Sequence, residues 1–375
     1  MAEPPSKTEV AVIGGGVIGL SIAFHLAENG VDVTLFERSA LGGGASGSSA
    51  AMVRTYFPGD PTNSMLAMRS LSAYRGFTKR HDADPALQQV GFLVLFTEAA
   101  QLEAFKADVA AQHAVGVEVE LIDAFHATEI NPFLDPETFL AAAWAPLAFA
   151  CAPGEIMRGY TDVAAWHGAR ICASTEVVTV DLRHGLVGTE YGETSADAVV
   201  CAAGPWSQAV AAMCGVHLPV SPRRTELLLS DALPTTQTIP HTLHAASGLR
   251  VRNVGNRLLV GMGRPATGEV RSRWVRRVAD QFAKTYPTLA GIGLHHGWTG
   301  VWDGTADGTA FLGESAGPGR FLYAAGFSGH GFCQAPAVGE VVRDLYFRRR
   351  VDLDLGVFSR HRAAARPVAG CLAVS

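Results

Sequence analysis

Six cysteines are spread over the 375 residues, and none falls in the Cys-x-x-Cys spacing of a zinc or redox motif. Cys151, Cys172, Cys201, Cys214, Cys333 and Cys371 are too scattered for a disulfide framework, so reduced thiols and no metal site are expected. Long apolar runs are missing as well. No stretch approaches the ~18 residues that a membrane helix needs. Met1-Ala-Glu-Pro-Pro-Ser-Lys7 lacks the basic-then-apolar pattern of a secretory signal, and a cytoplasmic location is the expectation. Nor is there an excess of positive charge. The 30 Lys and Arg stand against 35 Asp and Glu, a formal net charge of -5, which offers no attraction to nucleic acid or to an anionic membrane. Arg348-Arg349-Arg350 is a local exception and reads as a solvated helix end. With 48% hydrophobic and 17% charged residues the composition is that of a packed globular protein, and the length calls for two joined domains.

What is present starts with Glu9-Val-Ala-Val-Ile-Gly14-Gly-Gly16-Val-Ile-Gly19. Val10–Ile13 suits a buried parallel strand. Gly14 permits a sharp strand-to-helix turn, Gly16 lets a pyrophosphate approach the backbone, and Gly19 lets the helix pack against the sheet. The helix from Val17 to about Glu28 offers free N–H groups, from Val17 and Ile18 onward, and a positive dipole end to phosphates. It stops at Asn29-Gly30. A second apolar run, Val31–Phe36, ends in Glu37, placed to accept hydrogen bonds from a ribose. Arg38 follows it, and then comes Leu41-Gly-Gly-Gly-Ala-Ser46-Gly-Ser48-Ser49, whose small residues would let the backbone wrap around a second part of the cofactor.

Further along, Asp60–His81 reads as helical, Val90–Phe96 as a strand and Glu98–His113 as an amphipathic helix. Another helix follows Pro153-Gly154, and Ala169–Val180 is rich in β-branched residues. Ala196–Cys201 running into Ala203-Gly204-Pro205-Trp206 looks like the chain returning to the nucleotide-binding sheet. Between Leu218 and His296 strands and hairpins dominate, with a turn at Asn253–Asn256 and a helix over Glu269–Tyr286. Near the end, a strand over Arg320–Ala324 enters Gly326-Phe-Ser-Gly329-His330-Gly331-Phe332, and a helix reaches about Tyr346. That loop and helix start would stabilise the negative charge a flavin acquires on accepting a hydride.

Taken together, GGGVIG, Gly43–Ser49, Ala202–Ser207, Gly300-Val-Trp302-Asp303 through Gly313, and Gly326–Gly331 resemble the D-amino-acid-oxidase-like family of FAD-dependent oxidoreductases. The branch of sarcosine and glycine oxidases, with the β subunits of heteromeric sarcosine, proline and opine oxidising enzymes, is most similar. The resemblance implies an α/β fold in which a discontinuous, Rossmann-like FAD-binding domain (1–85, 146–217 and 297–375) carries an inserted antiparallel-sheet substrate domain (86–145 and 218–296). It implies hydride transfer from the C–H beside an amine to flavin N5, giving an imine that hydrolyses. O2 or another acceptor would reoxidise the flavin, and homo- or hetero-oligomers are open. FAD contacts are implied for Gly14, Gly16, Val17, Ile18, Gly19, Glu37, Arg38, Ser46, Ser48, Ser49, Val177, Ala203, Gly204, Trp206, Gly329, His330, Gly331 and Phe332.

The sequence also departs from that family. Gly300 stands where some members attach FAD through cysteine, which makes non-covalent FAD the expectation. Trp302 replaces a tyrosine or a carboxylate-binding arginine, and Cys333 replaces a carboxylate-binding lysine. No lysine occurs near Leu258-Leu259, where oxidases of this branch activate oxygen, so a dehydrogenase is a second reading. An amino-acid carboxylate still calls for a forked arginine. Arg54 is the first candidate, with Arg250 and Arg252 as alternates sharing one strand face. His330 is a further candidate, and Trp302 a pocket wall. Oxidation of a hydroxy acid, and a flavin-carrying subunit of a heteromeric dehydrogenase, are the competing functions.

Overall fold

In the computed structural model, residues 3–233, 235–263 and 269–362 are described. Cys371 and the end of the last expected segment lie outside them. Among the described residues two large sheets carry the architecture.

The first sheet has a parallel centre. β1 (Lys7–Ile13) lies between β2 (Val33–Phe36) and β12 (Gly192–Cys201). β9 (Arg170–Cys172) extends it beyond β2, and β19 (Arg320–Ala325) extends it beyond the C-terminal half of β12. Antiparallel additions complete it: β10 (Val177–Asp181) and β11 (Leu186–Thr189) on the N-terminal half of β12, and β18 (Phe311–Ser315) on β19. α1 (Val17–Ala27) is apolar around its whole circumference, and every residue in it is buried. It packs against α6 (Pro153–Trp166) and α9 (Gly331–Tyr346). Gly339 of α9 makes the close approach possible, because a Cβ there would lie 2.4 Å from Ser21 Oγ.

The start of α9 is fastened from elsewhere. Pro336 has no N–H to give to the carbonyl of Phe332, four residues back. The hydroxyl of Tyr74 donates to that carbonyl instead, at 2.8 Å. Tyr74 belongs to α2 (Pro61–Arg75), which also presents Asn63 Oδ1 to the amide of Gln334 at 2.7 Å and Ser70 Oγ to the N–H of Ala337 at 3.3 Å. The long helix expected over Asp60–His81 is interrupted at Gly76, after which α3 (Phe77–His81) turns away.

The second sheet runs β17 (Leu294–Gly304), β13 (Ser221–Ser230), β16 (Arg257–Gly261), β15 (Leu249–Val254), β14 (His241–His244), β5 (Phe92–Phe96), β7 (Ala141–Ala145), β6 (Glu120–Asp123). Its neighbours are antiparallel except β14 and β5, which run parallel. The chain enters this sheet twice from the first domain, and that junction is where the two excursions meet. One face is closed by α8 (Arg271–Thr285), with Trp274, Val278 and Phe282 buried against Leu93, Val251 and Val260. α4 (Ala99–Ala114) and α5 (Ala124–Ile130) flank the β5–β7 end, while α7 (Ser207–Met213) follows β12. The turn at Gly255-Asn256 joins β15 to β16 as a two-residue hairpin. β17 pairs with β13 from Leu294 to Gly304, so the boundary expected at 296 falls inside a strand of the second sheet. A small third sheet, β3 (Met52–Arg54), β8 (Ala148–Ala150) and β4 (Gln88–Gln89), joins the two halves.

Candidate active site

The β1–α1 turn is built on two glycines with no room for a side chain. Gly14 has φ +115°, and a Cβ there would lie 2.3 Å from the carbonyl of Ala202 at the end of β12. A Cβ on Gly19 would lie 1.9 Å from the carbonyl of Gly14. Its freedom is therefore needed for clearance from the turn itself rather than from the face of the sheet. The N–H of Val17 donates to Ser46 Oγ at 3.0 Å, which ties the second glycine loop to the start of α1. Glu37, just beyond β2, accepts from the N–H of Gly15 at 2.8 Å through one oxygen and from the N–H of Ser39 at 2.8 Å through the other. Arg38 stacks on Trp206, its guanidinium 3.7 Å from the indole centroid. The hydroxyl of Ser48 donates to the carbonyl of Gly44 at 3.1 Å, and Ser49 Oγ accepts from the N–H of Ala51 at 3.2 Å, so both close local turns.

These parts surround a cavity of about 330 Å³. Gly14, Gly16, Val17, Ile18, Glu37, Arg38, Ser46, Ser48, Ser49, Val177, Ala203, Gly204 and Trp206 wall one part of it. Gly329, Gly331 and Phe332 wall another, together with Thr225, Arg250, Gly300, Trp302 and Asp303. The N-termini of α1 and α9 therefore open into one space, and both present positive dipole ends there. Gly19 and His330 lie outside the lining, as do Arg54 and Arg252.

Asp303 does structural work that its sequence position does not announce. The residue is buried, and one carboxylate oxygen accepts from the N–H of Gly326 at 2.7 Å and of Phe327 at 3.0 Å. Its own carbonyl accepts from the N–H of Ser328 at 2.8 Å. Gly326, Ser328 and Gly329 all have positive φ, and this clamp holds that turn open at the start of α9. Burial raises the Asp303 carboxyl above its usual range, against the pull of the backbone N–H groups. The only sequence signal was its place in Gly300-Val-Trp-Asp303. Trp302 is held as a wall by its indole N–H, which donates to Thr225 Oγ1 at 2.7 Å.

Arg54 lies immediately behind the α9 end of the cavity. It is buried, with Nη1 donating to the carbonyl of Tyr56 at 2.6 Å and Nη2 lying 3.3 Å from Nε2 of His330. Its guanidinium sits 4.2 Å from the Phe57 ring centroid and 4.9 Å from that of Phe92. Arginine can only donate, so Nε2 of His330 is the acceptor and the imidazole proton resides on Nδ1. Burial, then the charges of Arg54 and Arg250, hold His330 well below the ordinary histidine range, so its ring is neutral. Cys333 accepts from the N–H of Arg54 at 3.4 Å and so docks β3 onto α9. Arg250 lines the cavity, whereas Arg252 donates from Nη1 to the carbonyl of Asn253 at 2.9 Å. Burial pulls both down to about 10. Among the described residues no His, Cys, Asp and Glu cluster is arranged to hold a metal ion, the cysteines are free, and no helix is long and apolar enough to cross a membrane.

The residues present fit FAD. A glycine turn at a helix N-terminus, a carboxylate 23 residues beyond Gly14 at the end of the next strand, and a second helix N-terminus share one cavity. Fold and site together define an oxidoreductase that uses a dinucleotide cofactor. A family model described as "FAD dependent oxidoreductase" (DAO) matches residues 9–345, and the chain belongs to that family. It is 29% identical over 369 residues to a glycine oxidase of Geobacillus kaustophilus, covering 95% of this chain and 97% of the relative. It is 24% identical to the sarcosine oxidase subunit beta of Rhodobacter capsulatus, covering 92% and 86%. Among solved structures, an L-proline dehydrogenase from P. horikoshii superposes with a TM-score of 0.87 at 27% identity, covering 96% of this chain and 98% of that one. The protein is thus an FAD-dependent enzyme, as its motifs imply.

Replacing Glu37 by alanine is expected to weaken FAD binding about ten-fold or more. A hydrogen bond to a charged group contributes roughly 1.5–3 kcal/mol. Fluorescence titration of flavin-stripped protein measures this. Unchanged affinity would show that Glu37 only braces Gly15 and Ser39.

Proposed function

We propose that the enzyme oxidises a primary or N-substituted amino acid at the C–H beside nitrogen, with FAD held non-covalently. The observation that carries this reading is the buried cationic end of the cavity. Arg250 stands in its wall, and Arg54 stands behind it on His330, where a substrate carboxylate finds forked donors away from water. Glycine oxidase, sarcosine oxidase subunit beta and L-proline dehydrogenase are all named for amino-acid substrates, which supports it.

When bound, FAD would supply the two-electron acceptor for a hydride from the C–H beside nitrogen; the nitrogen would lose its proton to solvent, and the imine product would be hydrolysed by water. The chain supplies position and field. The α1 N-terminus, Gly16 and Glu37 hold the nucleotide end. The α9 N-terminus and the turn clamped by Asp303 face the charge that develops on transfer. Trp302, fixed by Thr225, confines the substrate. Neutral His330 orients Arg54 and takes no proton. Non-covalent attachment is supported at Gly300, where any Cβ would lie 2.4 Å from Ser48 Oγ and a cysteine would displace the second glycine loop. Among the described residues no lysine lines the cavity, which favours transfer of electrons to an acceptor other than O2.

The test is anaerobic mixing of the yellow holoenzyme with a panel of D-, L- and N-methyl amino acids. At least one should bleach the flavin and yield ammonia or an alkylamine, and acid precipitation should leave the flavin in the supernatant. Bleaching by hydroxy acids alone would replace amine by alcohol oxidation. Flavin in the pellet would overturn only the non-covalent attachment.

A further inference from the structure

Arg250, which lines the cavity, stands on a face of the second sheet that carries more positive charge than one carboxylate can use, with Arg252 and His241 just behind the lining. Thr242 of β14 lies opposite Val251 of β15, and Leu243 lies opposite Arg250. Side chains alternate along a strand, so His241, Leu243, Arg250 and Arg252 share one face, and Phe92, opposite His241 on β5, joins them. The other face carries Leu93, Leu249, Val251 and Val260 and is sealed by α8.

Arg54 reaches the same region from β3. Its guanidinium lies 4.9 Å from the Phe92 centroid, and His241 stacks on that ring at 5.2 Å. Arg54 and His241 thus meet on one aromatic ring, and Arg250 and Arg252 share the strand face beside them. Burial, and then the charges of Arg54, Arg252 and Arg250, hold His241 neutral. Among the described residues, Nε of Arg252, Nδ1 of His241 and Nδ1 of His330 are buried without a hydrogen-bond partner. Buried polar atoms of this kind cost stability unless a ligand satisfies them. Like charges gathered away from water are likewise offset by an anion. In the reading proposed above, Arg54 and Arg250 take one carboxylate. Arg252 and His241 remain.

We propose that the substrate is an amino or imino acid bearing a second carboxylate, received by Arg252 and His241 while Arg54 and Arg250 hold the first. This rests on the amino-acid reading above. The second carboxylate sits either on the nitrogen substituent or on the side chain, and the experiment separates the two. Holoenzyme is titrated anaerobically with N-methylglycine against iminodiacetate, and with alanine against aspartate, following flavin bleaching. Malonate against acetate, which cannot be oxidised, is followed by the shift in the flavin spectrum.

The dicarboxylate of at least one oxidisable pair, and malonate, should half-saturate at concentrations ten-fold or more below their monocarboxylate partners. Arg252→Met should bring those ratios close to one. Preference for iminodiacetate places the second carboxylate on nitrogen, and preference for aspartate places it on the side chain. Equal half-saturation within both pairs, with the flavin bleaching, overturns the dicarboxylate inference and leaves the amino-acid reading standing. A ten-fold margin that persists in FAD-loaded Arg252→Met overturns the assignment to Arg252. Failure of every amino and imino acid to bleach the flavin overturns both. Should Arg252→Met not fold, the wild-type malonate-to-acetate ratio decides: ten-fold supports the inference, and unity refutes it.

Discussion

Arg54→Ala should slow flavin reduction at limiting substrate by about 30-fold or more, with FAD content and flavin spectrum close to wild type. Truncating one member of a buried charge pair costs roughly 2–5 kcal/mol, and each 1.4 kcal/mol is about a factor of ten in rate. Arg54 is buried between Phe57 and Phe92, away from the water that would otherwise solvate the carboxylate proposed for it. Arg54→Lys keeps the charge but loses the planar fork and the reach to both Tyr56 and His330, so it should recover only part of the rate. Rapid mixing with the best amino acid from the panel measures this. If Arg54→Ala is reduced like wild type and Arg252→Ala is not, the carboxylate is held from the second sheet. Wild-type rates in both variants would leave the carboxylate to Arg250 alone or indicate a substrate without one.

Asp303→Ala should be the most damaging single change outside the glycine turn. It leaves the N–H groups of Gly326 and Phe327 buried and unpaired. Each such group costs about 1–3 kcal/mol, so roughly 2–6 kcal/mol is at stake. At about 1.3 °C per kcal/mol for a chain of this length, Tm should fall by roughly 3–8 °C, and much of the protein should be purified without FAD. Asp303→Asn keeps one acceptor oxygen and should fall between the two. Thermal melts with and without added FAD make the measurement. A variant with wild-type Tm and full flavin would show that the turn holds its shape without the carboxylate.

What could be read from the sequence was local. Strand, glycine turn, helix and acid follow one another within residues 7–37, and each has a short-range cause. The Gly255-Asn256 hairpin and the run from Arg320 to Tyr346 are legible for the same reason. Contacts between distant segments were not. Arg54 and His330 are brought together across 276 positions, and Ser46 reaches Val17 from another loop. β17 shows no clean alternation in Leu-His-His-Gly-Trp-Thr-Gly-Val-Trp-Asp-Gly, because its edge position leaves most of its residues half exposed. Its membership of the second sheet was therefore invisible, and with it the task of Asp303 at its end. Alternation puts Arg250 and Arg252 on one strand face, but only the register with β14 and β16 puts Arg250 at the cavity.

The fastening of α9 by α2, and of its preceding turn by β17, has a consequence for synthesis. The nucleotide motif leaves the ribosome with the first 37 residues, but its cavity is finished only when Gly329, Gly331 and Phe332 are in place. β1 waits for β12, and β12 for β19, across long stretches of intervening chain. Closing such loops is slow, and partly made chains expose apolar strands such as Val10–Ile13 and Val33–Phe36. FAD can stabilise only the finished arrangement, so it acts on the last folding step and cannot rescue an earlier one.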